Sequence, residues 1–190
     1  MDKLLVLALL LSFILASSAA LWSTKTYKKQ PQVISDILTL VPKNNINGNN
    51  SVNKQELASL INSLPKTPVK LDMMYGKWNL IYTTEKETNF ISKYFGKCTG
   101  VYQQIKNDTI NNVISFEDKV FSVDGMLFLN NEKTNRVDFK FTKASLTFNN
   151  QKPINFPPVG SGYFDNLYID DLIRISYDVR GDYLISKREK

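Results

Sequence analysis

The spacing of apolar residues predicts two amphipathic helices in the first third of the chain. Residues 33–41 carry apolar side chains at intervals of three and four, which places them on one helical face, and Pro42 ends the run. Residues 54–64 repeat this spacing and are followed by Pro65. The polar, asparagine-rich residues 43–53 between them predict a loop. Each predicted helix has one apolar face and therefore needs a core to pack against.

Beyond residue 77 the apolar pattern changes to the alternation that is typical of β-strands. The clearest example is residues 136–143, where Val137, Phe139 and Phe141 share one face. Strands are predicted over residues 78–84, 99–105, 109–117, 126–129, 136–143, 145–148, 162–169, 172–177 and 183–187. Residues 153–158 (PINFPP) predict a loop. No alternation of strands with helices appears, so neighbouring strands are expected to run antiparallel.

These elements predict a mainly β domain, in which two short helices precede an antiparallel barrel or sandwich of about eight or nine strands. An eight-stranded barrel has an interior that side chains fill or that holds one small ligand. The aromatic content of 12% suits a packed core and a ligand cavity equally well. The length of 190 residues favours a single domain, which we assign to residues 33–190.

The composition excludes most familiar catalytic machinery. The chain has no histidine and one cysteine, Cys98, which rules out a Ser-His-Asp triad, a Cys-His dyad, histidine metal sites and an internal disulfide. Asp170 and Asp171 resemble a catalytic carboxylate pair, but adjacent strand residues point to opposite faces, which favours a salt-bridge partner and a turn residue. Composition alone leaves open a carboxylate-only enzyme or a metal held by oxygen ligands. Because no nucleophile–base or metal constellation can be assembled from the sequence, we expect no enzymatic activity, no metal site and no cofactor.

The charge of the chain is moderately basic, with a net charge of +6 and a pI near 9.2. Its lysines are scattered rather than gathered in a stripe, which argues against a surface for nucleic acid. A mild positive excess of this kind suits contact with anionic lipid headgroups instead.

The N-terminus has the layout of a targeting presequence. Residues 1–20 combine a short polar start, an apolar run too short to span a bilayer and a stretch of small residues, which predicts a signal peptide. Residues 21–32 are basic, hydroxylated and free of acidic side chains, as transit peptides are. A bipartite presequence for import into a complex plastid explains both segments. A disordered tail on a secreted protein, with acceptor sequons at Asn49 and Asn107, is the alternative.

Two segments at opposite ends of the strand region carry a specific resemblance. The first is GKWNLIYTT at residues 76–84, and the second is GYFDNLYIDDLIRIS at residues 162–176, followed by GDYLISK at residues 181–187. Together they resemble the plastid lipid-associated protein family, the fibrillins. The resemblance implies a lipocalin-like β-barrel that binds or coats lipid at thylakoid membranes and plastoglobules. It also favours plastid import over secretion.

Four residues of these two segments have structural explanations. Gly76 is expected to let the chain turn tightly into the first strand. Trp78 is expected to point inward and close one end of the barrel, with Arg174 lying across its ring in a cation–π contact. Asp170 is expected to belong to a turn or a salt bridge.

Inward-facing aromatic residues away from that end are the candidates for a ligand-binding wall, although each also suits a packed core. These candidates are Tyr82, Phe116, Phe139, Phe141, Phe148 and Tyr168. Ile154 and Phe156, in an apolar loop beside Lys152, are candidates for membrane contact. A loop that folds over the mouth of the barrel is the alternative for this segment.

Three functional hypotheses remain open at this point. The leading one is a non-enzymatic plastid protein that binds a prenylquinone, a carotenoid or an acyl lipid, or that coats the lipid surface of thylakoids or plastoglobules. The second is an accessory or scaffold subunit of a photosynthetic pigment–protein complex, such as a photosystem or an antenna. The third is a secreted lipocalin-like carrier.

Overall fold

The computed structural model describes residues 30–41, 52–65, 68–157 and 160–189 of the chain. The predicted signal peptide, most of the predicted transit-like segment and the sequon at Asn49 lie outside these described residues. Gln32, at the end of that predicted segment, already belongs to the first described helix.

The two amphipathic helices form where the apolar spacing predicts them. Helix α1 spans Gln32–Leu40 and helix α2 spans Lys54–Asn62. The side chain of Asn53 caps α2, because its Oδ1 accepts hydrogen bonds from the backbone N–H groups of Gln55 and Glu56. No helix among the described residues is long and apolar enough to cross a membrane.

The strand region forms a closed antiparallel barrel. The nine strands are β1 (Gly76–Thr83), β2 (Cys98–Lys106), β3 (Thr109–Phe116), β4 (Lys119–Leu129), β5 (Arg136–Phe148), β6 (Ile154–Phe156), β7 (Ser161–Ile169), β8 (Ile173–Asp178) and β9 (Tyr183–Arg188). Their hydrogen-bonded order is β4-β3-β2-β1-β9-β8-β7-β5-β6. Pairing of β4 with β5 closes eight of them into a ring, and β6 adds a short strand at the edge of β5. The predicted lipocalin-like barrel is therefore confirmed.

Tight turns hold the predicted hairpins together. Asn107 and Asp108 connect β2 to β3 with φ angles of +48° and +59°, the conformation of a two-residue type I′ turn. The β7–β8 turn is fastened by Asp170, whose Oδ1 accepts hydrogen bonds of 2.7 Å from the backbone N–H groups of Leu172 and Ile173.

The structure corrects three of the predicted strands and adds two helices. Strand β4 begins seven positions before the predicted residues 126–129, and the segments predicted at 136–143 and 145–148 are one continuous strand. Part of the predicted loop at 153–158 is strand β6, because it hydrogen-bonds to β5. The unpredicted helices are α3 (Leu71–Met74), before β1, and α4 (Lys86–Tyr94), between β1 and β2.

Two separate hydrophobic clusters stabilise the domain. One lies between the two N-terminal helices and the outer side of the barrel, where side chains such as Ile34, Ile37 and Leu57 pack against Ile175 and Ile185. The other lies inside the barrel at the end where β1 starts and consists of Val69, Met74, Trp78, Ile105, Ile110, Leu127, Val137, Phe164 and Ile169. We call the latter end the base of the barrel. Both clusters together leave the interior above the base unfilled.

Candidate functional site

The base of the barrel is closed around Trp78. This side chain is fully buried, and its indole Nε1 donates a hydrogen bond of 2.7 Å to the backbone carbonyl of Met74 in α3. The short helix α3 and Val69 cover the indole from below, which is how the chain before β1 seals this end. The predicted inward position of Trp78 is therefore present in the structure.

Arg188, at the end of β9, lies directly over the Trp78 ring. Its guanidinium carbon is 4.1 Å from the ring centroid. Its Nη2 donates a hydrogen bond of 2.7 Å to the carbonyl of Met73, and its Nη1 donates to the carbonyl of Tyr75. Gly76 makes room for this arginine, because it has a φ of +124° and a Cβ there would lie 2.9 Å from Nη1 of Arg188.

A cavity of about 430 Å³ occupies the barrel above this base. Most of its wall is apolar and includes Ile114, Phe121, Val123, Phe139, Phe141 and Leu184. A few polar side chains interrupt this wall, among them Gln103, Asn112, Arg174 and Ser176. A predominantly apolar cavity of this size with a few convergent polar groups is the usual form of a small-molecule site.

Helix α4 lies at the far end of the cavity from the base. Its Thr88 and Ile91 line the cavity, whereas its Phe90 and Tyr94 face outward with exposed fractions of 56% and 63%. The helix therefore has one face toward the barrel interior and an aromatic face toward solvent. Phe95, which follows the helix, extends the exposed aromatic face with an exposed fraction of 49%.

Arg180, in the β8–β9 turn, fastens the first turn of α4 to the barrel. Its guanidinium forms ion pairs of 2.9 Å with Glu85, 3.0 Å with Glu87 and 3.0 Å with Asp178. Burial raises the pKa of Glu85, and the Arg180 charge opposes that shift. The three carboxylates at this end of the cavity thus share one cation, Arg180.

Arg174 is the only fully buried cation among the described residues, with an exposed fraction of 1%. Its Nη2 donates a hydrogen bond to the amide oxygen of Gln103, and its guanidinium carbon is 5.4 Å from the centroid of the Trp78 ring. Its Nε and Nη1 have no hydrogen-bond acceptor among the described residues. Burial, with a further contribution from the Arg188 charge, lowers the pKa of Arg174 to about 9, so the side chain remains cationic at neutral pH.

Comparisons with known proteins identify the family. The sequence model of the PAP_fibrillin family matches residues 49–187 of this chain. The chain belongs to the PAP_fibrillin family. It is 37% identical over 127 residues, or 62% of its length, to a protein of Arabidopsis thaliana named probable plastid-lipid-associated protein 11, chloroplastic. It spans 57% of the length of that relative. No solved structure matches the chain at a significant level.

Two of the six predicted wall residues line the cavity of this fibrillin domain. Phe139 and Phe141, on the inward face of β5, lie with their ring centroids 4.8 Å apart and both contribute to the cavity wall. Their ligand-binding role remains a prediction that the cavity geometry makes testable.

Tyr82 and Tyr168 lie in the other hydrophobic cluster, against the N-terminal helices. The cause is a β-bulge in each strand, between Leu80 and Tyr82 in β1 and between Asn166 and Tyr168 in β7. An extra residue in a strand moves the following side chain to the other face of the sheet. The hydroxyl of Tyr168 donates a hydrogen bond of 2.8 Å to Asp170, so it is directed at the β7–β8 turn.

Phe116 and Phe148 lie beside Lys119, at the strand ends far from the base. The Lys119 ammonium is 5.5 Å from the centroid of the Phe116 ring and 5.9 Å from that of Phe148. Neither ring belongs to the cavity wall. The structure therefore does not bring the six aromatic candidates together.

The predicted membrane-contact residues are exposed. Ile154 and Phe156, in β6, have exposed fractions of 50% and 43%. They lie on the short edge strand beside β5 and are not among the residues that line the cavity. Membrane contact by this segment and its alternative, a cover over the barrel mouth, both stay predictions.

Three features of the site were not predicted from the sequence. Arg188 lies one residue beyond the last predicted strand. If the alternation of β9 is extended by that residue, Arg188 lies on the same face as Leu184 and Ser186. Gln103 lies on an inward position of β2, where an isolated amide gives no distinctive signal. Helix α4 has a signal in the spacing of Phe90, Ile91, Tyr94 and Phe95.

Proposed function

We propose that this fibrillin-family chain is a non-enzymatic plastid protein that holds an apolar molecule inside its barrel. The observation that carries this proposal is the cavity of about 430 Å³ with its apolar wall, enclosed between the Trp78 base and helix α4. The names of the family and of the chloroplastic relative support a plastid location and an association with lipid. The predicted signal and transit-like segments supply a route to that location.

The cavity volume favours an acyl chain among the three predicted ligand classes. The cavity volume of about 430 Å³ lies toward the lower end of the range for small-molecule sites, about 300–1,000 Å³, which suits one slender chain. Carotenoids and long-chain prenylquinones are much larger than a single acyl chain and suit this volume less well. A single acyl chain is the apolar molecule that this interior accommodates best.

Filling the cavity is expected to weaken the binding of a neutral apolar probe. In Val123→Phe, the new ring projects into the cavity and displaces at least two methylene groups of the ligand, each worth about 0.8 kcal/mol of burial. We therefore expect the Kd for an environment-sensitive alkyl fluorophore to rise by about tenfold or more. Fluorescence titration of the full chain measures this.

Val120→Phe is the matched control for that experiment. It introduces the same side chain into the same strand, at an exposed position that does not line the cavity. Its affinity for the fluorophore is expected to equal that of the unaltered chain. Equal affinities in all three proteins, or no binding in any of them, would overturn the proposed cavity function.

A second candidate function, association with a lipid surface, is favoured by the exposed aromatic face of α4. Phe90, Tyr94 and Phe95 are all about half exposed or more, and exposed lysines at positions 86, 93 and 97 flank them. Aromatic side chains beside basic ones are typical of segments that enter the headgroup region of a bilayer. We therefore propose that α4 contacts the membrane, with β6 as the competing contact surface.

Negative charge introduced at the exposed aromatic face of α4 and at the adjoining Phe95 is expected to reduce membrane association. Phe90→Glu with Phe95→Glu removes two apolar groups and adds two negative charges, so binding to vesicles of phosphatidylcholine with phosphatidylglycerol should fall by about tenfold or more. Flotation of the full chain with these vesicles measures the bound fraction. The paired variant Ile154→Glu with Phe156→Glu should float like the unaltered chain. The opposite ranking would assign membrane contact to β6.

The two remaining hypotheses, an accessory subunit and a secreted carrier, predict different properties of the native protein. An accessory subunit of a photosynthetic complex would migrate with a large pigment–protein assembly in mild detergent. A secreted carrier would carry a glycan at Asn107, which lies exposed in the β2–β3 turn. The proposed plastid location predicts no glycan at Asn107, and the proposed cavity function predicts a small particle that carries an apolar molecule.

A further inference from the structure

We propose that the cavity binds a single-chain amphiphile with a carboxylate head, and that Arg174 holds this head near the base of the barrel. The inference rests on the proposed cavity function and specifies its ligand class. It is carried by the buried guanidinium of Arg174, which has no partner anion among the described residues.

Arg174 is built into the deep part of the cavity. It occupies an inward position of β8, lines the cavity wall and lies near Trp78 and Phe164, with its guanidinium carbon 5.4 Å and 5.6 Å from the two ring centroids. Its neighbours on the same strand, Ile173 and Ile175, face the N-terminal helices. The alternation of β8 therefore directs the guanidinium into the barrel.

No carboxylate in the described part of the chain pairs with this guanidinium. Within residues 30–41, 52–65, 68–157 and 160–189, its one acceptor is the neutral amide oxygen of Gln103, and its Nε and Nη1 have none. The carboxylates at the far end of the cavity surround Arg180. A buried charge without a counter-charge is costly, so its presence calls for an anion that comes from outside the protein.

Closing the barrel base does not account for Arg174, because Arg188 performs that task. Arg188 lies closer to the Trp78 ring, at 4.1 Å, and donates hydrogen bonds to the carbonyls that precede β1. Arg174 makes no such backbone contact in the described residues. Arg174 is thus a second cation beside the base, next to Arg188. Two cations close together raise the positive potential at this point, which further favours a bound anion.

The ligand class follows from charge and volume together. One unpaired guanidinium matches one negative charge, which favours a carboxylate over a phosphate head that carries more charge. The cavity volume of about 430 Å³, toward the lower end of the range for small-molecule sites, suits a single chain. The head therefore lies at Arg174, and the chain runs past Phe139 and Phe121 toward Ile91 of α4.

The test compares tetradecanoate with tetradecanol and tetradecyl phosphate in displacement titrations of the full chain. The unaltered chain is expected to bind tetradecanoate about tenfold to hundredfold more tightly than the alcohol, because the head gains a charge-assisted hydrogen bond. Arg174→Met should abolish this preference while retaining the affinity for the alcohol. Gln103→Glu should also abolish it, since it supplies the guanidinium with an anion from the protein.

Two controls distinguish an effect of the Arg174 site on binding from an effect of net charge and from a loss of stability. Lys140→Met removes one positive charge from the exposed face of β5 and should keep the preference for tetradecanoate. Thermal unfolding of ligand-free Arg174→Met should occur at the same temperature as in the unaltered chain or higher, because the variant removes a buried unpaired charge. A purely structural Arg174 would instead make this variant less stable.

The position of the head can be measured through Trp78. In the chain with Trp22→Phe, Trp78 is the remaining tryptophan. Tetradecanoate brominated beside the carboxylate should quench its fluorescence more than tetradecanoate brominated at the far end. The reverse order would overturn the placement of the head at Arg174.

The outcomes distinguish this inference from the function on which it rests. Equal binding of tetradecanoate and tetradecanol, unchanged by Arg174→Met, would overturn the carboxylate site and leave the cavity function intact. Tighter binding of tetradecyl phosphate than of tetradecanoate would overturn the choice of a carboxylate. Failure of all three probes to bind would overturn the cavity function itself.

Discussion

Trp78→Ala is expected to lower the free energy of unfolding by about 3–5 kcal/mol. The indole is fully buried at the centre of the base cluster, where it contacts Met74 through a hydrogen bond and Arg188 through its ring. Truncation leaves a cavity at the base and removes the surface on which the arginine lies. The loss is measured by chemical denaturation of the full chain, with the barrel signal followed by circular dichroism.

Trp78→Phe is the control for this prediction. It keeps an aromatic ring at the base but removes the Nε1–H donor, so it should cost clearly less than the alanine variant. A loss below about 1 kcal/mol for Trp78→Ala would contradict the view that the indole closes the barrel.

Arg188→Met is expected to lower the free energy of unfolding by about 2–4 kcal/mol. The substitution removes the cation over the Trp78 ring and leaves the carbonyl groups of Met73 and Tyr75 without their donor. Denaturant unfolding of the ligand-free chain measures the change. This large effect is expected because Arg188, and not the buried Arg174, closes the base of the barrel.

Arg174→Met is the matched comparison, because it applies the same substitution to the neighbouring arginine. Its guanidinium donates to a side-chain amide and leaves two nitrogens without acceptors among the described residues. We expect its stability to equal that of the unaltered chain or to rise. A larger loss in Arg174→Met than in Arg188→Met would reverse the assigned roles.

The strand pattern of the fold is largely readable from the sequence. Residues 136–143 alternate so clearly that the inward face of β5 follows from them, and Phe139 and Phe141 are indeed in the cavity wall. The helical spacing of residues 33–41 and 54–64 likewise predicts α1 and α2. Both patterns are local consequences of burying one face of an element, which is why they are visible without the structure.

The positions of Tyr82 and Tyr168 could not be obtained in this way. Each follows a β-bulge, and a bulge depends on the pairing of two strands distant in sequence. A strictly alternating interpretation therefore assigns these tyrosines to the same face as Trp78 and Asn166, which is the opposite face from the observed one. The burial of both beneath the N-terminal helices is a property of the assembled barrel.

The separate roles of Arg174 and Arg188 could not be predicted from the sequence either. Arg174 falls within the family signature and is expected to lie across Trp78, and the structure does contain that contact at 5.4 Å. The closer contact comes from Arg188, which reaches the ring only because β9 lies next to β1 in the closed barrel. Which cation seals the base and which one faces the cavity is settled by long-range pairing.

The most direct test of the central claim is to purify the native protein from its membranes in mild detergent and identify what it carries. The account predicts a small particle that yields a single-chain, carboxylate-bearing amphiphile in stoichiometric amount upon extraction and mass spectrometry. A protein free of apolar small molecules, found only within a large pigment–protein assembly, would contradict it. In that case the barrel would act as a scaffold, and its outer surface would be its functional site.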